Sequence, residues 1–385
     1  MNMMERILRL MAERKASDIY LSAHSPVLIR INGICVPINA QVLPATAPLA
    51  LLSEVVPPAR IQELESTGEL NMAVALEGAG NYRISAMRQR GTYAVVVRHI
   101  ASTIPSFADL NLPDILKTLI MDKRGLILMV GATGAGKTTT LASMLDYRNE
   151  HASGHILTVE EPIEFTYTNK KSVVNQRDVG SDTTSLQMAL KNALRQAPDV
   201  IQIGEIRDRD TMTAAIAYAQ SGHLCVATLH ANNSYRALNR ILSFFPVEVR
   251  PTLLGDLGGA LRAIVSQRLL RTPTGGRVPA LEVMLNTALV AELIEKGDFS
   301  GVKEAMEKSM AEGSQTFEAA IAKLIVDGIV DKKEGIAYAD SPTNLQWRLQ
   351  NDFAGKDKEV VEEGASEEDL QDEPSFTEIT LDVKH

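Results

Sequence analysis

Cysteine is nearly missing from this chain of 385 residues, with only Cys35 and Cys225 present. Two thiols are too few for a disulfide framework or a four-thiolate zinc site. Both have apolar neighbours, which predicts buried free thiols in a reducing compartment. Also lacking is any run of about eighteen apolar residues that could cross a bilayer. Residues 1–16 carry Glu5, Arg6, Arg9, Glu13, Arg14 and Lys15 and have no apolar core, so they do not read as a signal peptide. There is no internal repeat and no dense basic cluster. The formal net charge is −9, and residues 356–385 hold eleven carboxylates against three lysines, so the rest of the chain is almost neutral. Charge therefore advertises no nucleic-acid surface. With 45% hydrophobic residues, the expectation is a cytoplasmic protein of two or three domains with a large core.

Periodicity divides the chain. Met4, Ile7, Leu8 and Met11 share one helical face. Strand-like runs follow at Ile19–Leu21, Val27–Ile31, Ala73–Leu76, Tyr82–Met87 and Tyr93–Ile100, broken by turns at Asn32-Gly33 and Gly78–Asn81. Residues 1–100 thus read as a small α+β domain around an antiparallel sheet. Residues 101–112, with Pro105 and then Pro113, read as a linker, and Leu112–Met121 as a short helix. From Arg124 strands alternate with helices: Leu126–Val130, a helix through Asp146, Ile156–Val159, Asp182–Arg195 helical, Val200–Ile203, Thr211–Ala219 helical, and Leu224–Leu229. That alternation predicts an α/β layer with a mostly parallel sheet. Beyond Ser234 the chain reads as largely helical, through Leu253–Leu269, Leu289–Ile294, Val302–Met310 and Phe317–Ile325, within a second domain spanning 113–355. Residues 356–385 form an acidic, aromatic-poor tail whose composition favours disorder.

The strongest motif is Gly131-Ala132-Thr133-Gly134-Ala135-Gly136-Lys137-Thr138, followed by Thr139, entered from an apolar strand and leaving into a helix. The glycines let backbone N–H groups turn inward, the helix start adds about half a positive charge, and Lys137 adds a full one. This is a phosphate-binding loop for ATP, with the Thr138 hydroxyl placed for Mg2+.

Three further segments belong to the same sheet. Thr158-Val159-Glu160-Glu161-Pro162-Ile163-Glu164 ends a strand with carboxylates whose mutual repulsion suits a cation or a water to be activated. In such a sheet the carboxyl ends of the strands face the ligand. Val200–Ile203 leads into Gly204-Glu205; Gly204 stands where many phosphate-loop ATPases have aspartate, leaving Glu205 to contact metal-bound water or to orient the attacking water. Gly222-His223 and His230 bracket the strand Leu224–Leu229. Two histidines without a third ligand make a poor metal site, and His230 suits a hydrogen-bonding sensor of the γ-phosphate.

Together these segments resemble the secretion-superfamily hexameric ATPases, specifically the type IV pilus retraction motors of the PilT/PilU family. The resemblance rests on a Walker A loop at Gly131–Thr138, an Asp-box-like Glu160–Glu164, a Walker B at Gly204-Glu205 followed by Ile206-Arg207-Asp208, and a His box from Gly222-His223 to His230-Ala231-Asn232. Ala16–Ser22 and Val265–Leu270 also match, so the similarity covers about residues 1–345. It implies a PAS-like N-terminal domain joined to a RecA-like motor domain, with six copies in a ring and ATP held between subunits. It also implies arginines reaching the nucleotide from the N-terminal domain, at the matching positions Arg83 and Arg98.

Two departures point to the PilU-like branch. Glu161 replaces the usual aspartate of the Asp box, and the region of Asn286-Thr287-Ala288 and Glu292-Leu293-Ile294 lacks the Ala-Ile-Arg motif of PilT in its usual form; the acidic tail is an addition. The expected function is a ring motor that drives or assists pilus retraction beside a partner retraction ATPase, docked on an inner-membrane platform protein. In that mechanism Glu160 or Glu164 activates water, Glu205 supports metal and water, and His223 and His230 relay the phosphate state. Alternatives from the same residues are a nucleotide-gated scaffold without catalysis and a pilus-extension or type II secretion ATPase.

Overall fold

The computed structural model describes residues 2–31, 34–76, 80–100, 103–308 and 311–351. The turn expected at Asn32-Gly33, the first half of that at Gly78–Asn81 and the acidic tail lie outside the described residues.

Six strands, β1 (Asp18–Ser22), β2 (Pro26–Ile31), β3 (Ile34–Val42), β4 (Glu69–Leu76), β5 (Gly80–Gln89) and β6 (Thr92–Ile100), form an antiparallel sheet in the order β3-β2-β1-β6-β5-β4. Alternation in β5 buries Tyr82, Ile84 and Ala86 completely. The helix Met3–Glu13, capped by the Asn2 side chain at the Glu5 N–H, buries Met4, Leu8 and Met11 in the same core. Tyr82 is held there by its hydroxyl, which donates to the Leu8 carbonyl at 2.9 Å. Strand β3 and the helices Ala47–Ser53 and Pro58–Thr67 escaped the sequence reading. Because β3 is an edge strand, Cys35 on it is exposed, which corrects the expectation of two buried thiols; Cys225 is buried.

The connector is not detached. Phe107 and Leu112 are buried in one apolar cluster with Leu116 and Met144, so residues 103–112 pack onto the second sheet's core ahead of the helix Ile115–Ile120.

The second sheet contains β7 (Gly125–Val130), β8 (Gly154–Glu160), β9 (Ser172–Asp178), β10 (Val200–Ile203), β11 (Leu224–Leu229), β12 (Leu261–Arg271) and β13 (Arg277–Leu285), in the order β13-β12-β7-β11-β10-β8-β9. Every neighbouring pair is parallel except the β12–β13 hairpin. Strands β7, β10 and β11 are buried at every position, as continuous apolar runs between two helical layers should be.

The helical reading of Leu253–Leu269 is overturned in its second half. A helix runs over Arg250–Ala260, and Leu261 begins an eleven-residue strand beside β7. A strand covered on both faces shows no period of two, so its apolar residues mimic a helix, and the β-branched Ile264-Val265 pair was the available signal. The expected helix at Asp182–Arg195 narrows to Leu186–Ala193, begun where the Ser185 side chain accepts from the Met188 N–H. Beyond β13 the expected helices appear as Ala288–Glu295, Phe299–Glu307 and Phe317–Val326, joined by Lys332–Tyr338 and Pro342–Asn351.

Candidate functional site

Because β7, β8, β10 and β11 are parallel, their carboxyl ends open on one side, where the loop 131–136, Glu160, Gly204-Glu205 and His230 meet. They surround a cavity of about 620 Å³ lined by Thr133, Gly134, Lys137, Thr138, Glu160, Glu164, Glu205 and His230, with Arg83 entering from β5 of the first sheet.

The loop owes its shape to glycine at two places. Gly131 (φ +156°) and Gly136 (φ +83°) lie where a Cβ would come within 2.7 Å of the Gln267 carbonyl oxygen and 2.8 Å of its side-chain nitrogen, respectively. Gln267, on β12, braces the loop from behind: its Nε2 donates to the Ala135 carbonyl at 2.8 Å, and its Oε1 accepts from the Thr140 hydroxyl at 2.7 Å. Lys137, 8% exposed, turns back to donate to the Gly131 and Ala132 carbonyls at 2.9 and 3.0 Å. Burial lowers its ammonium below the usual range, against the pull of Glu205 and Glu164.

Glu160 is 5% exposed. Burial raises its carboxyl to about 7, opposed by hydrogen bonds from the Thr158 hydroxyl at 2.6 Å and the Gln176 amide at 3.3 Å. Facing it, Glu205 is clamped between His230 Nε2 at 2.9 Å and Arg207 Nε at 2.8 Å, and Arg207 also reaches Glu161 at 3.3 Å. Gly204 packs closely against β8: its N–H donates to the Val159 carbonyl at 2.8 Å, and a Cβ there would lie 3.2 Å from the Glu160 backbone, so a larger residue would need a shift of a few tenths of an ångström. Two buried wall atoms, Gln202 Oε1 and Thr211 Oγ1, have no hydrogen-bond partner among the described residues. Such orphans suit a cavity that receives water or a polar ligand.

Arg83 and Arg98 are direct neighbours across β5 and β6, but only Arg83 lines the cavity. Arg98 is instead held by Asp18 at 2.9 Å, a carboxylate 3% exposed that also meets Arg30 at 3.5 Å. Burial of that carboxylate makes the ion pair the stronger claim on Arg98. His223 lies at the opposite end of β11 from His230, seven positions away and thus about 20 Å from the cavity, so the parallel strand separates the two histidines expected to act together. Ala132 and Ala135 line a second cavity on the outer side of the loop, and Gly131, Gly136 and Thr139 shape the loop and helix start without lining either.

Sequence reasoning missed Arg207, Gln176, Gln202 and Asp178. Asp178 pairs in register with Glu160, and its carboxyl is pushed up to about 6 by burial and by Asp182, against the Ile163 N–H and the Arg83 charge. Arg207 and Gln202 stood inside segments already quoted, whereas Gln176 and Asp178 did not. The second cavity, about 430 Å³, is lined by Arg268, Arg271, Arg277 and Tyr338.

The sequence matches the family Type II/IV secretion system protein over residues 1–335. It is 41% identical to the Type IV pilus ATPase PilU of Pseudomonas aeruginosa over 374 residues, which covers 96% of this chain and 98% of that protein. It is 34% identical to the Type IV pilus retractation ATPase PilT of the same organism, over 88% of this chain and 98% of that one. A crystal structure of the pilus retraction motor PilT with bound ADP superposes with a TM-score of 0.84 at 36% identity, covering 90% of this chain and 99% of that one. The chain belongs to the Type II/IV secretion system protein family and, within it, to the PilT/PilU group of retraction ATPases.

Proposed function

We propose that this chain binds and hydrolyses ATP at the strand-end cavity as one subunit of a homohexameric ring, and that the ring drives or assists type IV pilus retraction as a PilU-like accessory to a partner retraction ATPase. Residues 1–100 serve as the PAS-like domain, 101–112 as the linker, 113–355 as the RecA-like motor with its helical C-terminal part, and 356–385 as a tail. The observation that carries the reading is the gathering of Lys137, Thr138, Glu160, Glu205 and Arg83 around one cavity.

Lys137 exchanges its two carbonyl partners for the β- and γ-phosphates, beside inward N–H groups of the loop. Glu160, with a carboxyl near neutrality, accepts the proton of the attacking water. Glu164 is the second carboxylate within reach of that space. Arg83 neutralises charge on the transferring phosphoryl group. His230, bound to Glu205, changes partner when the γ-phosphate leaves.

Among the described residues no group of three or more His, Cys, Asp or Glu could hold a metal ion, so these residues form no all-protein cage. Mg2+ suits a site of this kind, with one hydroxyl, one carboxylate and the remaining positions filled by water and phosphate. Thr138 and Glu205 would hold it, and it would supply positive charge to offset that of the phosphates.

No helix among the described residues is long and apolar enough to cross a membrane. The chain acts in the cytoplasm and reaches the inner membrane through the pilus platform protein. A strain in which the chain carries Lys137→Ala tests the reading. Retained or excess pili with weakened twitching is expected, and loss of pili would overturn it in favour of extension.

A further inference from the structure

The β12–β13 hairpin sets Arg271 directly opposite Arg277, both exposed. Like charges in register across two strands repel one another. Among the described residues neither guanidinium has an ion pair; Glu334 accepts from the Arg271 backbone N–H rather than from its side chain. Arg268, which shares their cavity, is already engaged by Asp340 and by the Asn232 and Tyr338 carbonyls. The two free cations therefore stand at a cavity that the phosphate loop, Ala132–Ala135, also lines. Such an arrangement calls for an anion.

The chain carries one of the right size and place. Asp357–Glu373 contains nine carboxylates and one lysine. It follows the helix Pro342–Asn351, whose Leu345 and Leu349 share an apolar cluster with Leu270 and Val278, the residues next to Arg271 and Arg277. A dozen residues span up to about 40 Å, ample for the segment to return to the hairpin. Tethering gives it an effective concentration of about millimolar, so individually weak ion pairs suffice.

We propose that the acidic segment Asp357–Glu373 docks on the Arg271–Arg277 pair and so lowers capture of nucleotide at the adjacent phosphate loop. The effect on nucleotide rests on the ATP reading above; the docking does not. Docked carboxylates cancel the local positive potential and stand beside the loop, where they repel a polyanion, and salt screens both effects.

The test uses the full chain, a full-length variant with the nine carboxylates of Asp357–Glu373 replaced by their amides, and each of these with R271Q/R277Q or R271K/R277K. Binding of a fluorescent ATP analogue should tighten about threefold or more on amidation at about 50 mM salt, and the gain should fade near about 500 mM. It should vanish in the glutamine background and persist in the lysine one. A labelled peptide of residues 356–373 should bind the amide variant in a salt-sensitive way that R271Q/R277Q abolishes. Peptide binding that is absent, or indifferent to R271Q/R277Q, overturns the docking. Arginine-dependent peptide binding to a chain that binds no nucleotide upholds the docking and overturns the ATP reading instead.

Discussion

Replacing Gln267 with leucine strips the phosphate loop of its brace while preserving most of the buried volume. Gln267 is 2% exposed, and its amide satisfies two buried partners, the Ala135 carbonyl at 2.8 Å and the Thr140 hydroxyl at 2.7 Å. Each partner left orphaned costs about 1–3 kcal/mol. Thr140 can recover part of this by turning its hydroxyl to the Gly136 carbonyl one helical turn back, so the expected loss of stability is about 2–4 kcal/mol, most of it at Ala135. Because that carbonyl sits within the loop, the loss should also weaken ATP binding by about tenfold, equivalent to about 1.4 kcal/mol. Denaturant midpoints and nucleotide titrations of Gln267→Leu, Thr140→Val and the double variant separate the terms. A coupling of about 0.5–3 kcal/mol between the two sites is expected. If Gln267→Leu lost under about 0.5 kcal/mol with unchanged ATP affinity, the brace would be refuted.

Three other outcomes follow from the same geometry. Glu160 must be ionised to act as a base and titrates near 7, so hydrolysis at saturating ATP should rise with pH from about a tenth of its plateau at pH 6 to about nine tenths at pH 8; Glu160→Gln should remove both the activity and this limb. Arg83→Ala should slow turnover by about 10³ or more, whereas Arg98→Ala should leave turnover within about threefold and cost about 1–2 kcal/mol of stability by stripping a partner from buried Asp18. A maleimide should label exposed Cys35 rapidly and Cys225 only after unfolding, because burial raises the Cys225 thiol far above its usual range.

The phosphate loop and the strand-end carboxylates were legible in the sequence because a parallel sheet turns apolar runs into pointers: whatever follows Val130, Val159, Ile203 and Leu229 must face one side. The same rule, applied fully, would have separated His223 from His230, since a strand's two ends cannot share a site. The pairing of Arg98 with Asp18 was not legible because the two are 80 residues apart and meet only once β1 and β6 pair. The strand β12 was hidden by burial on both faces, and with it the Gln267 brace. Gly204 reads as a missing aspartate in one dimension and as a close approach to Glu160 in three.

The central claim, ATP hydrolysis at the strand-end cavity by a chain that works in a ring, is tested most directly by steady-state ATP hydrolysis as a function of the protein's own concentration, with Lys137→Ala as the blank. Turnover per subunit should rise with concentration to a plateau and be lost in the variant. Hydrolysis no faster than that of Lys137→Ala at every concentration would contradict it.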